Sequence, residues 1–422
     1  MTIGRRLSWG LADQAVIAAA NAGNGLLATV FLPPAEAGIV LVCLATVYVA
    51  MGLNRAFIGD VLLAQASRFE GTSRRRMHTD AIATACCSGT AVAVVLALLW
   101  LLWPGRLLDP LIYLVPFIPA LFAHDTARYS YQSQLRQRSA FVIDIAWVLV
   151  QGGLVGIGAA LGALSGPWLL VAWGLGACIG AIVYLLRGGI VPWRGRPVRW
   201  LAHTRKLSVW FTGSAVIGQA QIQLIALLIP SLLGAAAFAG LRLAHLVILQ
   251  PIQNLVLASM GLLVPRTSTL TEAGNIEGLR NQTKKVVVIA LGLAVVLLAV
   301  VTLAAEPVLS WYQGGAYAEV APLAWPVGIQ AGIYLLQIPF TATVRGMRQG
   351  KLVFLQYALF TVTSLLGVGI GATTFGLTGA AWGLTVGSAV GLAVMIYLAM
   401  YAMRQLTTPP VRQSLVPAES SA

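Results

Sequence analysis

The sequence predicts an all-α polytopic membrane protein of about 12 transmembrane helices in two six-helix bundles, with both termini cytoplasmic. Three observations predict it. Of 422 residues, 58% are hydrophobic and only 9% are charged, whereas soluble domains carry about 25% charged residues. The apolar residues fall into about a dozen stretches of the ~20 residues a helix needs to cross the bilayer core. Nearly every Lys and Arg lies in alternate gaps between those stretches, and short loops rich in these residues are retained on the cytoplasmic side.

The first set of spans is predicted at about 9–32, 37–62, 79–103, 110–132, 139–162 and 167–187, by length against the bilayer core. The second set is at about 206–232, 237–263, 285–305, 321–346, 353–374 and 377–403. Arg5 and Arg6 before an apolar run imitate a signal peptide, but Asp13, Gln14, Asn21 and Asn24 inside that run predict an uncleaved first span. The cytoplasmic gaps hold Arg68 with Arg74, Arg75 and Arg76, then Arg136 with Arg138, then Arg194, Arg196, Arg199, Arg205 and Lys206. Further along come Arg266, Arg280, Lys284 and Lys285, then Arg348 and Lys351, then Arg404 and Arg412. The external gaps hold essentially Arg106. Orientation in a plasma (inner) membrane follows.

Residues 188–205 form the longest basic linker near mid-chain, dividing an N-terminal bundle (1–187) from a C-terminal bundle (206–404), with a tail at 405–422 that reads as disordered. Six spans per half make both halves run in the same direction, so a symmetry axis lies along the membrane normal. Pro34-Ala35-Glu36-Ala37-Gly38 before span two is echoed by Ala236-Ala237-Phe238-Ala239-Gly240 before span eight. The 44 glycines permit close helix contact in lipid. Prolines Pro116, Pro119, Pro230, Pro251, Pro326 and Pro339 fall within spans and are placed to kink them.

Composition also excludes classes. The net charge of +14 sits in short loops rather than in a basic domain, so nucleic acid is not the partner. Cys43, Cys86, Cys87 and Cys178 lie inside apolar stretches with no CxxC spacing, which argues against a disulfide framework or a structural metal. There is no P-loop, no HExxH and no nucleophile elbow, and no large external loop to house catalysis, so the chain reads as a transporter and not an enzyme, with no cofactor expected.

Charged residues inside spans are costly and face the protein interior or a wet cavity. Span one carries Asp13 and Gln14, span two Arg55 and Asp60, span four His124, Asp125 and Arg128, and span five Asp144. At ~1.5 Å per residue, Arg128 lies about 27 Å below the external start of span four, so these groups share the cytoplasmic half of the first bundle. Two readings stay open. Asp125 and Arg128, three apart on one helix face, pair with each other or with Asp144 and close the bundle. Alternatively, Arg55 and Arg128 line an inward-facing vestibule and bind a diphosphate headgroup through paired guanidinium donors. In the second half, Arg242 and His245 share a face of span eight, and Arg242 is a candidate to receive that headgroup after passage. Asp13, with Asp144, is the candidate for a coupling ion.

Asp13-Gln14, Ala37-Gly38 and Asn54-Arg55 resemble the polysaccharide-repeat flippases of the multidrug, oligosaccharidyl-lipid and polysaccharide exporter superfamily. The segment with Asp125, Arg128-Tyr129, Arg138, Asp144, Trp147 and Gln151 resembles their span four to five region, and Gly240-Leu241-Arg242, Pro251 and Pro265-Arg266 their span eight. The resemblance implies a V-shaped pair of bundles that alternate access around a central cationic cavity. It implies movement of polyprenyl-diphosphate-linked oligosaccharide repeat units to the outer leaflet for exopolysaccharide or O-antigen synthesis. His124, Asp125, Tyr129, Arg55, Arg128 and Arg242 are the substrate-binding candidates on that reading. Partners would be the lipid-linked glycan, membrane lipids and other polysaccharide-assembly proteins. The competing reading is a cation-coupled multidrug exporter, and a membrane scaffold ranks last because the cytoplasmic loops are short.

Overall fold

The computed structural model describes residues 3–65, 68–102, 109–311 and 322–407, and they are almost entirely helical. Helix α1 (Ile3–Phe31) ends at Pro33, whose φ of −57° and ψ of 147° are extended, as is usual for a residue followed by proline. Pro34 then opens α2, where its missing N–H removes no helical bond. α2 runs Pro34–Asn54, widens into a π turn at Arg55–Gly59 and continues as Asp60–Gln65. α3 is Gly71–Leu102.

Span four departs from a full helix. Asp109–Tyr113 and Val115–Phe117 are 3-10 turns, and α4 proper is only Ile118–Ser133. Pro110, Pro116 and Pro119 withhold the N–H groups that a regular outer third would need. α4 is nearly all buried, on its polar residues as well as its apolar ones. It is the axial helix of the first bundle, enclosed by α2, α3, α5 (Gln137–Ala160) and α6 (Gly166–Gly188). Glycines on α6 make that enclosure tight: a Cβ at Gly174, Gly176 or Gly180 would overlap the rings of Phe117, Trp147 or His124.

A short connection with a turn at Pro192–Arg194 leads to α7 (Pro197–Leu233). Residues 197–205 of the basic linker are thus the first turns of a helix. At ~1.5 Å per residue, 37 residues span about 55 Å against a ~30 Å hydrocarbon core, so α7 projects beyond the bilayer. α8 comprises Ala235–Ala244, a π turn at His245–Leu249 and Gln250–Glu272. Pro251 lacks an N–H and would clash with a carbonyl of the preceding turn, which the wider π turn avoids. α9 is Ile276–Trp311 and α10 is Ala324–Gly346.

Residues Gly350–Thr407 form two helices, α11 (350–374) and α12 (377–407), because Phe375 and Gly376 are non-helical and Gly376 has φ of 61°. Gly371 faces Gly379, Gly367 faces Gly383 and Ser364 faces Gly387, the pairing of an antiparallel hairpin. Among the described residues, ten helices are long and apolar enough to cross a membrane; dividing the last and adding the shorter α4 gives twelve. Arg106 and residues 408–422 lie outside the described residues.

The two halves meet at their cytoplasmic ends. One apolar cluster takes in the first half together with Leu207, Phe211, Val264, Ala342 and Val353 of the second. A separate cluster, with Ile229, Leu241, Val301, Leu323 and Ala372, belongs to the external part of the second half alone. Hydrogen bonds across the join are likewise internal: Ser208 Oγ donates to the Phe57 carbonyl at 3.0 Å and Ser268 Oγ to the Ala64 carbonyl at 2.7 Å.

Candidate functional site

The polar residues of α4 are held at the centre of the first bundle, where water cannot solvate them. Arg128 is enclosed by three carboxylates from three helices. Its Nε donates to Asp144 Oδ2 of α5 at 2.8 Å, and its Nη2 to Asp13 Oδ2 of α1 at 3.1 Å. Its Nη1 lies 3.5 Å from Asp125 Oδ1, one turn earlier on α4. Arg55, at the start of the π turn in α2, donates from Nε to both oxygens of Asp125 at 3.0 and 2.9 Å. Asp13, Asp125, Arg128 and Asp144 are each at most 4% exposed. Burial without pairing would cost several kcal/mol per ion, and this geometry offsets it.

The charges do not balance. Three carboxylates face two guanidinium groups, leaving one formal negative charge in the cluster. Asp13 Oδ1, Asp144 Oδ1 and His124 Nε2 are buried with no hydrogen-bond partner, although His124 Nε2 lies 3.3 Å from Asp144 Oδ1. Among the described residues, no three His, Cys, Asp or Glu side chains converge as metal ligands.

The cluster touches the other half through Gln132. Its Nε2 donates to Asp13 Oδ2 at 3.4 Å, and its side-chain oxygen lies against Gly261 of α8. Gln137 at the start of α5 donates to the Gly261 carbonyl at 3.4 Å. Tyr129 packs its ring on Gly59 of the π turn. Arg242 is exposed on α8, remote in sequence and on a separate element from this cluster. The structure therefore brings together Asp13, Arg55, His124, Asp125, Arg128 and Asp144, with Tyr129 beside them, and leaves Arg242 apart.

A second feature lies in the C-terminal half. A cavity of about 450 Å³ is lined by five glutamines, Gln219, Gln221, Gln253, Gln337 and Gln356, with Tyr334, Tyr357 and Phe360. Arg345 of α10 carries the formal charge of that lining, and no Asp or Glu is among the residues lining it. The sequence signal was present: Gln219, Gln221, Gln253 and Gln337 interrupt apolar spans, but an uncharged amide stands out less than Asp or Arg.

No family model matches the chain, and no curated protein matches it in sequence. Solved structures do. A MATE transporter in complex with MaL6 superposes with a TM-score of 0.81 at 14% identity, covering 95% of this chain and 96% of that one. An outward-facing multidrug resistance MATE family transporter of the MOP superfamily gives 0.77 at 13% identity, covering 95% of each. A MOP superfamily transporter from Pyrococcus furiosus, described with a binding pocket of reversed polarity, gives 0.78 at 14% identity over 96% of both chains. The chain has the fold of these multi-pass membrane transporters.

Proposed function

We propose that this chain is a cation-coupled exporter of small amphipathic molecules, driven by a proton taken up in the buried cluster of the first bundle. The odd carboxylate around Arg128 carries the reading. A buried net charge is costly, and a proton on Asp13 or Asp144 removes it. Protonating Asp13 weakens its hold on Arg128 and Gln132 together, and Gln132 bears on Gly261 of α8. A change in charge at Asp13 therefore reaches the join between the halves, where rocking of one bundle on the other would exchange access. The likeness in fold to multidrug MATE transporters supports the same reading.

The test is transport by the full chain in proteoliposomes, with fluorescent amphipathic dyes of either charge and an imposed proton gradient. Gradient-dependent movement is expected, reduced at least about tenfold in Asp13→Asn and in Asp144→Asn. Equal movement with and without the gradient would sink the proposal.

A flippase for polyprenyl-diphosphate-linked oligosaccharides is the second reading, and one observation favours it. The amides and phenols of the C-terminal cavity suit sugar hydroxyls. Against it, Arg128 is buried among three carboxylates, and Arg55 already donates through Nε to Asp125. Accumulation of a complete lipid-linked repeat unit in cells lacking the protein, with loss of surface polymer, would move the assignment to the flippase.

A further inference from the structure

We propose that the C-terminal cavity is the substrate site, that it selects amphiphiles bearing an oxyanion, and that Arg345 both binds that oxyanion and latches the cytoplasmic side. This deepens the exporter reading by naming its substrate class. The cavity offers a cation no carboxylate partner, while its five glutamines present donors and acceptors to a polar neutral body. Tyr334, Tyr357 and Phe360 supply rings for the apolar part.

Arg345 is the formal charge within reach of a ligand there, and only part of its donor set is spent. Its Nη1 donates to Asp60 Oδ2 of α2 at 2.7 Å, which joins the two halves. Its Nε is buried without a partner, and the guanidinium lies 5.4 Å from the centre of the Phe211 ring. A guanidinium has five N–H donors in a fork that matches phosphate, sulfate or carboxylate. The ligand oxyanion and Asp60 thus compete for one group.

The competition sets the affinity of each state, while the proton gradient proposed above supplies the direction. When the halves part on the cytoplasmic side, Asp60 withdraws with α2, and Arg345 is free to take an oxyanion from within. When they close again, Asp60 returns to Arg345 and displaces the oxyanion while the external side is open. Asp60 thereby lowers affinity in the closed-inside state described here.

Equilibrium dialysis tests this without any gradient, using the full chain in phosphatidylcholine nanodiscs. The probes are hexyl phosphate and hexyltrimethylammonium, which share their apolar chain. Hexyl phosphate is expected to bind at least about tenfold more tightly. Asp60→Asn should tighten hexyl phosphate binding at least about fivefold, within the usual range of coupling between sites. Arg345→Gln should erase the preference, and Arg345→Lys should keep it, which guards against a folding failure of the glutamine variant. Equal binding of the two probes, or weaker hexyl phosphate binding in Asp60→Asn, overturns the proposal. Intact selective binding without gradient-driven export would overturn the exporter reading and leave the site standing. Gradient-driven export without selective binding would do the reverse.

Discussion

Arg128 makes more contacts with opposite charge than any other residue of the buried cluster, and its surroundings change what its removal would report. With three carboxylates around it, Arg128→Gln leaves them facing one another in a site closed to water. Losing one partner of a buried pair costs about 3–5 kcal/mol. A lowered thermal unfolding temperature of the purified protein is therefore expected, alongside any loss of transport. The double variant Arg128→Gln with Asp13→Asn should recover part of that stability, since it deletes a carboxylate with its counter-charge. No recovery in a thermal melt would mean that Asp13 and Arg128 are not coupled. The sequence made Asp13, Asp125, Arg128 and Asp144 visible because charge inside an apolar stretch is conspicuous. It could not show that their side chains converge, since that depends on how α1, α4 and α5 pack.

At the scale of elements, small residues and prolines decide the geometry. The α11–α12 hairpin closes so tightly that a Cβ on Gly371 would overlap the Gly379 carbonyl, and one on Gly383 would overlap Gly367. Gly371→Leu is expected to destabilise the protein by about 1–3 kcal/mol or more, as overpacking does. Gly369→Ala, on the same helix with open space around it, should stay within about 0.5 kcal/mol. Similar melting of the two variants would contradict hairpin packing. The spans were legible because ~20 apolar residues in a row have few other uses. The local departures were less so. Pro116 and Pro119 warned of a kinked span four, yet a 3-10 entry and a 16-residue α4 could not be read from them. The π turn at Arg55–Gly59 has no proline to announce it, and it sets where Arg55 meets Asp125.

Across the whole molecule, the basic residues that orient the chain also help hold its halves together. Asp80 accepts from Arg199 Nε at 2.6 Å and Nη2 at 2.8 Å, Arg68 reaches Glu272, and Arg348 Nε donates to the Ala64 carbonyl at 3.1 Å. These contacts lie on the cytoplasmic side with the Arg345–Asp60 pair and the Ser268–Ala64 hydrogen bond. The rocking proposed above would break the contacts that join the halves in each cycle. The exposed Arg68–Glu272 pair suits that task because such a pair contributes only about 0–1 kcal/mol. A covalent link at the same place would hold the cytoplasmic side shut. Cysteines at Arg68 and Glu272, which are exposed and meet across the halves, introduced with the four native cysteines replaced, can be joined by a short bis-maleimide. Joining them is expected to cut gradient-driven export at least about tenfold, and the same pair left unreacted should transport normally. Undiminished export by fully joined protein would show that the halves need not separate on the cytoplasmic side, and the rocking mechanism would have to be abandoned.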